Sequence, residues 1–178
     1  MRLHDVRLVG TAAAAMLAAT VAGAPAAEAR QGQVQGQAQQ QAQAQECTPP
    51  PLPGQVVDVT LTDSGNTMRL TVKPAKVKAG QVSLLARNTG TFAHEAVVLP
   101  LAQGQTVGRR PIGSDSRASE TGSVGEASKN CGKGEGEGIA PGSAGWTTLT
   151  LRPGKYEVIC NFPGHYAAGM RAELDVTG

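Results

Sequence analysis

From Gln55 to Val176 the apolar residues recur at every second position wherever the chain is regular. That period admits strands and excludes amphipathic helices. Val57, Val59 and Leu61 alternate with Asp58, Thr60 and Thr62, and Met68, Leu70 and Val72 with Arg69, Thr71 and Lys73. Val82, Leu84 and Ala86 follow, and Phe92 to Leu99 is apolar apart from His94 and Glu95. Thr147, Leu149 and Leu151, then Tyr156 and Val158, then Arg171 to Val176 repeat the alternation. Turn formers punctuate these runs: Asp63-Ser64-Gly65-Asn66, Ala79-Gly80, Asn88-Thr89-Gly90 and Pro153-Gly154. Short strands at this spacing predict an all-β fold, a Greek-key antiparallel β-sandwich of about seven to eight strands.

Three segments lie outside that pattern. Residues 1–29 read as a signal peptide: Arg2 and Arg7 give a positive start, Leu8 to Gly23 is uncharged and apolar, and Ala24-Pro25-Ala26 and Ala27-Glu28-Ala29 fit small-x-small cleavage sites. The chain is therefore expected to be exported, whether periplasmic, at the cell surface or secreted. It is membrane-tethered instead if the signal is not cleaved. Residues 30–54 are Gln-rich and then Pro-rich, with too little to bury to repay the entropy of folding, and are expected to form a disordered linker. Residues 55–178 form the expected domain. Within it, 101–144 are rich in Gly, Ser and charge without a period, and read as a long irregular insertion.

Export has a chemical consequence for the three cysteines. Outside the cytosol paired cysteines tend to be oxidised, and an odd count leaves one over. Cys47 precedes the domain and Cys131 lies in the insertion, so a Cys47–Cys131 disulfide would pin both irregular segments and remove entropy from the unfolded chain. Cys160 is then the free thiol.

Cys160 opens the most informative run: Cys160-Asn161-Phe162-Pro163-Gly164-His165-Tyr166-Ala167-Ala168-Gly169-Met170, or C-x4-H-x4-M. A strand delivers the thiolate, Pro163-Gly164 reverses the chain before the imidazole, and a second short loop presents the thioether. Two nitrogens and a thiolate in a plane with a weak axial Met is an arrangement suited to copper. Of three histidines, His4 leaves with the signal peptide, so His94 is the candidate for the second nitrogen. Each residue also has a plainer reading: Cys160 a buried thiol or disulfide partner, His94 a hydrogen-bonded core residue, Met170 a gap filler. Zinc also takes Cys and His, but Met is a poor zinc ligand.

The run resembles the ligand loop of the cupredoxin family, in its rusticyanin- and sulfocyanin-like members. Asn88-Thr89-Gly90-Thr91-Phe92-Ala93-His94 is similar to the N-x-G-x-x-x-H strand end of plastocyanin-like members. The resemblance implies one copper ion, cycling between Cu(I) and Cu(II), held by His94, Cys160, His165 and Met170. It places Asn88, Glu95 and Phe162 around those ligands. It also implies that His165 passes electrons at a surface lined by Phe162, Pro163, Tyr166 and Ala167. The chain departs from the family at Glu95, where plastocyanin-like sequences often carry an Asn whose hydrogen bond helps to lock the site.

The census of residues narrows the role. A formal charge of +2 gives no case for nucleic acid. No further histidines remain for a catalytic copper, and four protein ligands leave no open position for a small-molecule substrate. The expected role is a monomeric one-electron carrier that meets redox partner proteins, and not an enzyme. Copper storage, delivery or sensing is the alternative, and a copper-free structural domain a third.

Overall fold

A computed structural model describes residues 47–65 and 67–178 of the 178-residue chain. The expected signal peptide and Gln-rich tract lie outside the described residues. Nine strands run in chain order: β1 (Gln55–Ser64), β2 (Thr67–Lys73), β3 (Lys76–Lys78), β4 (Gly80–Asn88), β5 (Ala96–Pro100), β6 (Gly125–Ala127), β7 (Ala144–Leu151), β8 (Gly154–Ile159) and β9 (Arg171–Thr177). They form a four-stranded sheet in the order β2-β1-β4-β7 and a five-stranded sheet in the order β3-β9-β8-β5-β6. Among the described residues there is no helix.

Nine strands exceed the about seven to eight expected, and β3 and β6, of three residues each, are too short for an alternation to show. Most pairings are antiparallel. However, β1 runs parallel to β4 and β3 parallel to β9. After β2 the chain crosses to the other sheet as β3 and returns as β4, which supplies the crossover a parallel pair needs. Alternation reports which face a residue takes and carries no information on strand direction.

The inner faces of the sheets meet in one core. Val57, Val59 and Leu61 of β1, Val82, Leu84 and Ala86 of β4, Val158 of β8 and Leu174 and Val176 of β9 are buried there, together with Cys160 and Met170. Burial of each such aliphatic side chain contributes roughly 1.5–3 kcal/mol.

Both sheets also carry apolar residues on their outer faces, and the two irregular segments cover them. Cys47 and Leu52 pack on Leu85, Ala144 and Trp146. The Pro53 carbonyl accepts a hydrogen bond from Ser83 Oγ at 2.6 Å, and Gly54 lies so close to Gln81 that a Cβ there would fall 2.2 Å from its carbonyl oxygen. Residues 47–54 are therefore part of the folded unit rather than a free linker, because Trp146 and Leu85 need a cover. On the other sheet Ala118, from the insertion, packs with Val97, Leu99, Ile159 and Tyr166. The insertion holds β6 and several isolated bridges, among them His94 with Ile139. Cys47 and Cys131 are joined by a disulfide, and Cys160 is free and buried.

Candidate metal centre

At one end of the core, His94, Cys160 and His165 converge. Each arrives on a different local structure. His94 sits just before β5, held by a bridge in which its N–H donates to Ile139 O at 3.1 Å and its carbonyl accepts from Ile139 N at 2.7 Å. Cys160 directly follows β8. His165 is set by the turns on either side of it: its N–H donates to Phe162 O at 2.9 Å, and its carbonyl accepts from Met170 N at 3.1 Å. The loop is closed where Cys160 N donates to Met170 O at 3.0 Å.

The donor atoms form a nearly equilateral triangle. Its edges are 3.2 Å between the two Nδ1 atoms, 3.4 Å from Cys160 Sγ to His165 Nδ1 and 3.6 Å from Cys160 Sγ to His94 Nδ1. The centre of such a triangle lies about 2 Å from every corner, the length of a metal–imidazole bond and a little under a metal–thiolate bond of about 2.3 Å. The donor set of two imidazoles and one thiol, with Met170 fully buried beside it, fits one copper ion.

The protonation states suit that fit. Partial burial and the neighbouring His94 hold the His165 pKa below its ordinary value, so its ring is neutral at pH 7. Burial pushes the Cys160 thiol up to about 12, against hydrogen bonds from the Glu95 and Phe162 amides. A bound cation must therefore expel a proton from Cys160. The Glu95 N–H lies 3.4 Å from Cys160 Sγ, so a thiolate formed there meets a backbone donor at once.

Of the residues around the ligands, Tyr166 alone departs from the position expected of it. Asn88 is a brace: its Nδ2 donates to Phe92 O at 2.7 Å and Ile139 O at 2.8 Å, and its Oδ1 accepts from Gly90 N at 2.9 Å. Glu95, the departure from the family pattern, points inward and accepts from Asn161 N at 3.0 Å, so a carboxylate joins the His94 segment to the Cys160 segment. Burial and the nearby Glu126 push its pKa up to about 7. Phe162 is half-buried with its ring 5.7 Å from that of His165, under the Arg117 guanidinium. Tyr166 is not at the surface: it is 1% exposed, and its hydroxyl donates to Glu157 Oε1 at 3.0 Å and accepts from Arg110 N at 3.0 Å. An aromatic ring with a polar tip finds partners inside when a carboxylate is buried beside it.

Two residues have roles at the site that their sequence context does not announce. Asp63, expected in a turn, is the last inward position of β1; its Oδ2 lies 2.7 Å from His94 Nε2. It also accepts from Thr91 N, Thr91 Oγ1 and Phe92 N. Burial pushes its pKa up, but these donors and the His94 ring outweigh burial and hold the carboxyl well below the usual range. Asn161, 1% exposed, forms a side-chain clasp with the insertion: Oδ1 accepts from Ala118 N at 2.7 Å and Nδ2 donates to Ala118 O at 2.9 Å.

The fold and the centre together define a β-sandwich with a mononuclear thiolate–imidazole metal site. Residues 56–177 match the family described as copper binding proteins, plastocyanin/azurin family, and the chain belongs to that family. No curated protein matches the chain. Among solved structures it is similar to auracyanin B, with 22% identity, a TM-score of 0.48, and 73% of this chain and 94% of that one covered. It is also similar to rusticyanin from Thiobacillus ferrooxidans, with 21% identity, a TM-score of 0.43, and 78% and 92% covered.

Proposed function

We propose that this chain is a type 1 copper protein that carries single electrons outside the cytosol, with His94, Cys160, His165 and Met170 as the metal ligands. The observation that carries the reading is the triangle of two Nδ1 atoms and one Sγ, buried except along one edge. His94 and Cys160 are 0% exposed, whereas the His165 ring is partly exposed and turns its Nδ1 inward, so its opposite edge faces away from the centre. Copper supplies a one-electron couple between Cu(II) and Cu(I). The protein supplies a donor set fixed before the metal arrives, since each donor is held by the backbone bonds given above.

Electrons would pass along the His165 edge to partner proteins that dock around it. Phe162, Pro163 and Ala167 remain there as the apolar rim, with Tyr166 withdrawn into the interior. Four protein donors leave no position for a substrate, which supports a carrier over an enzyme. The Cys47–Cys131 disulfide supports export, since such bonds persist in oxidising compartments.

The test is the visible spectrum of the purified domain with Cu(II), before and after a mild reductant. An intense band from thiolate-to-copper charge transfer, bleached reversibly and absent in Cys160→Ser, is expected. A colourless mixture in which Cys160 still reacts with thiol reagents would overturn the reading.

A further inference from the structure

The two histidines of the centre are treated unequally. His165 turns its outer edge toward the surface, but His94 is fully buried and its outer nitrogen meets the Asp63 carboxylate at 2.7 Å. Every partner of Asp63 given above other than His94 can only donate to it or shares a proton with it: the two amides and the Thr91 hydroxyl. A group so surrounded by donors is an acceptor, and therefore an ionised carboxylate. It fixes the proton of His94 on Nε2 and leaves the Nδ1 lone pair directed at Cys160 and His165.

We infer that Asp63 is the residue that sets the charge balance of the metal centre, and that it favours the oxidised over the reduced state. The inference rests on the copper reading above and deepens it. Counting the metal, the Cys160 thiolate and the Asp63 carboxylate, the sum would be zero with Cu(II) and one net negative charge with Cu(I). Both anionic side chains are at least nine-tenths buried, and burial penalises net charge. Replacing the carboxylate by an amide inverts the balance: one net positive charge oxidised, neutral reduced. Asp63 is a positioning residue in one sense, through the His94 tautomer, and a source of fixed charge in another. Asp63→Asn separates the two, because the amide oxygen still accepts from Nε2–H.

The other charges near the centre, Glu95 and Arg117, are present in the wild type and in both variants, so a difference between them reports on Asp63. Glu95 faces the Cys160 side and is tied to the Asn161 amide; Arg117 lies over Phe162 and donates to Asn161 O at 2.7 Å. Neither contacts the His94–Asp63 pair, whereas Asp63 acts on His94 through a hydrogen bond and on His165 through space.

The experiment is a redox titration of copper-loaded wild-type protein, Asp63→Asn and Thr91→Val, with the charge-transfer band as the check that the metal is bound. It is paired with 15N NMR of the His94 ring in the metal-free proteins. Partners around metal-bound histidines typically change metal affinity about 10–100-fold. Asp63→Asn is expected to shift the oxidised-to-reduced ratio at least about tenfold toward the reduced form, a rise of about 59 mV for a one-electron couple. Thr91→Val removes a donor that neutralises Asp63 and should move the potential the opposite way. The metal-free wild type should show the Nε2–H tautomer. A band in the wild type with potentials unmoved in both variants overturns the inference alone. So does an Nδ1–H tautomer. If Asp63→Asn does not fold, the sign of the Thr91→Val shift decides. Absence of the band in the wild type overturns the copper reading, and the inference with it.

Discussion

Replacing both Cys47 and Cys131 by Ser should cost the metal-free domain about 4.5 kcal/mol. The bond spans a sequence separation of 84. The entropy that a cross-link of that span removes from the unfolded chain amounts to about 15 cal/mol/K, or about 4.5 kcal/mol at 25 °C. A domain of this size is stable by only about 5–15 kcal/mol, so the loss is a large share of the whole. Urea unfolding followed by Trp146 fluorescence reads it. With an m-value of about 2 kcal/mol/M the midpoint should fall by about 2 M. The folded state has other ties to both segments, through Leu52 on Trp146 and Pro53 on Ser83, and these survive the substitution. The folded state is therefore kept, and the loss should appear as a lower midpoint with a somewhat steeper slope, because the unlinked unfolded chain exposes more surface. A fall of less than about 1 kcal/mol would refute the entropic reasoning, since it would mean the unfolded chain is already confined without the bond.

Arg110→Met leaves Glu157, which is 0% exposed, without the guanidinium that donates to it at 2.9 Å. Stranding a buried charge costs about 3–5 kcal/mol, and the double variant Arg110→Met with Glu157→Gln should recover most of it in the same urea assay. Gly138 has φ +110 and sits where a Cβ would lie 2.7 Å from Phe162 Cζ. Gly138→Ala should therefore cost about 1–3 kcal/mol from backbone strain alone and lower the thermal midpoint, with a change in the environment of the His165 ring visible by NMR.

Much of this could be read from the sequence because its signals were side-chain signals. The alternation of Val57, Val59 and Leu61 announced β1 and its inward face. The same alternation extends to Asp63, and a carboxylate at a position that should be apolar was the available sign of a buried, partnered acid. It was masked by the turn residues that follow. The convergence of His94 on Cys160 and His165 was legible because the chain offers so few histidines. The insertion was not, and the reason is chemical. It reaches the metal loop largely through backbone groups: the Ala118 amide and carbonyl on Asn161, Ser116 O accepting from Gly164 N at 2.9 Å, and Ile139 on His94. Such bonds leave no pattern in residue types. Tyr166 was misplaced for a related reason. Its ring suggested a surface patch, but its hydroxyl is claimed by Glu157, whose burial in β8 does not show in its residue type, and by the amide of Arg110, 56 residues away.

The embrace of the ligand loop by residues 108–139 bears on how this protein can be re-engineered or can diverge. In a sandwich whose metal loop stands alone, that loop is a cassette: its length and sequence can be exchanged while the scaffold stays as it was. Here Asn161, Phe162, Gly164 and Tyr166 are each held by a segment some 25–60 residues earlier in the chain. A transplanted loop, even one with Cys, His and Met correctly spaced, would arrive without the amide that fits Ala118 or the hydroxyl that fits Glu157. Loop and insertion behave as one heritable unit, and drift in either has to be matched by the other.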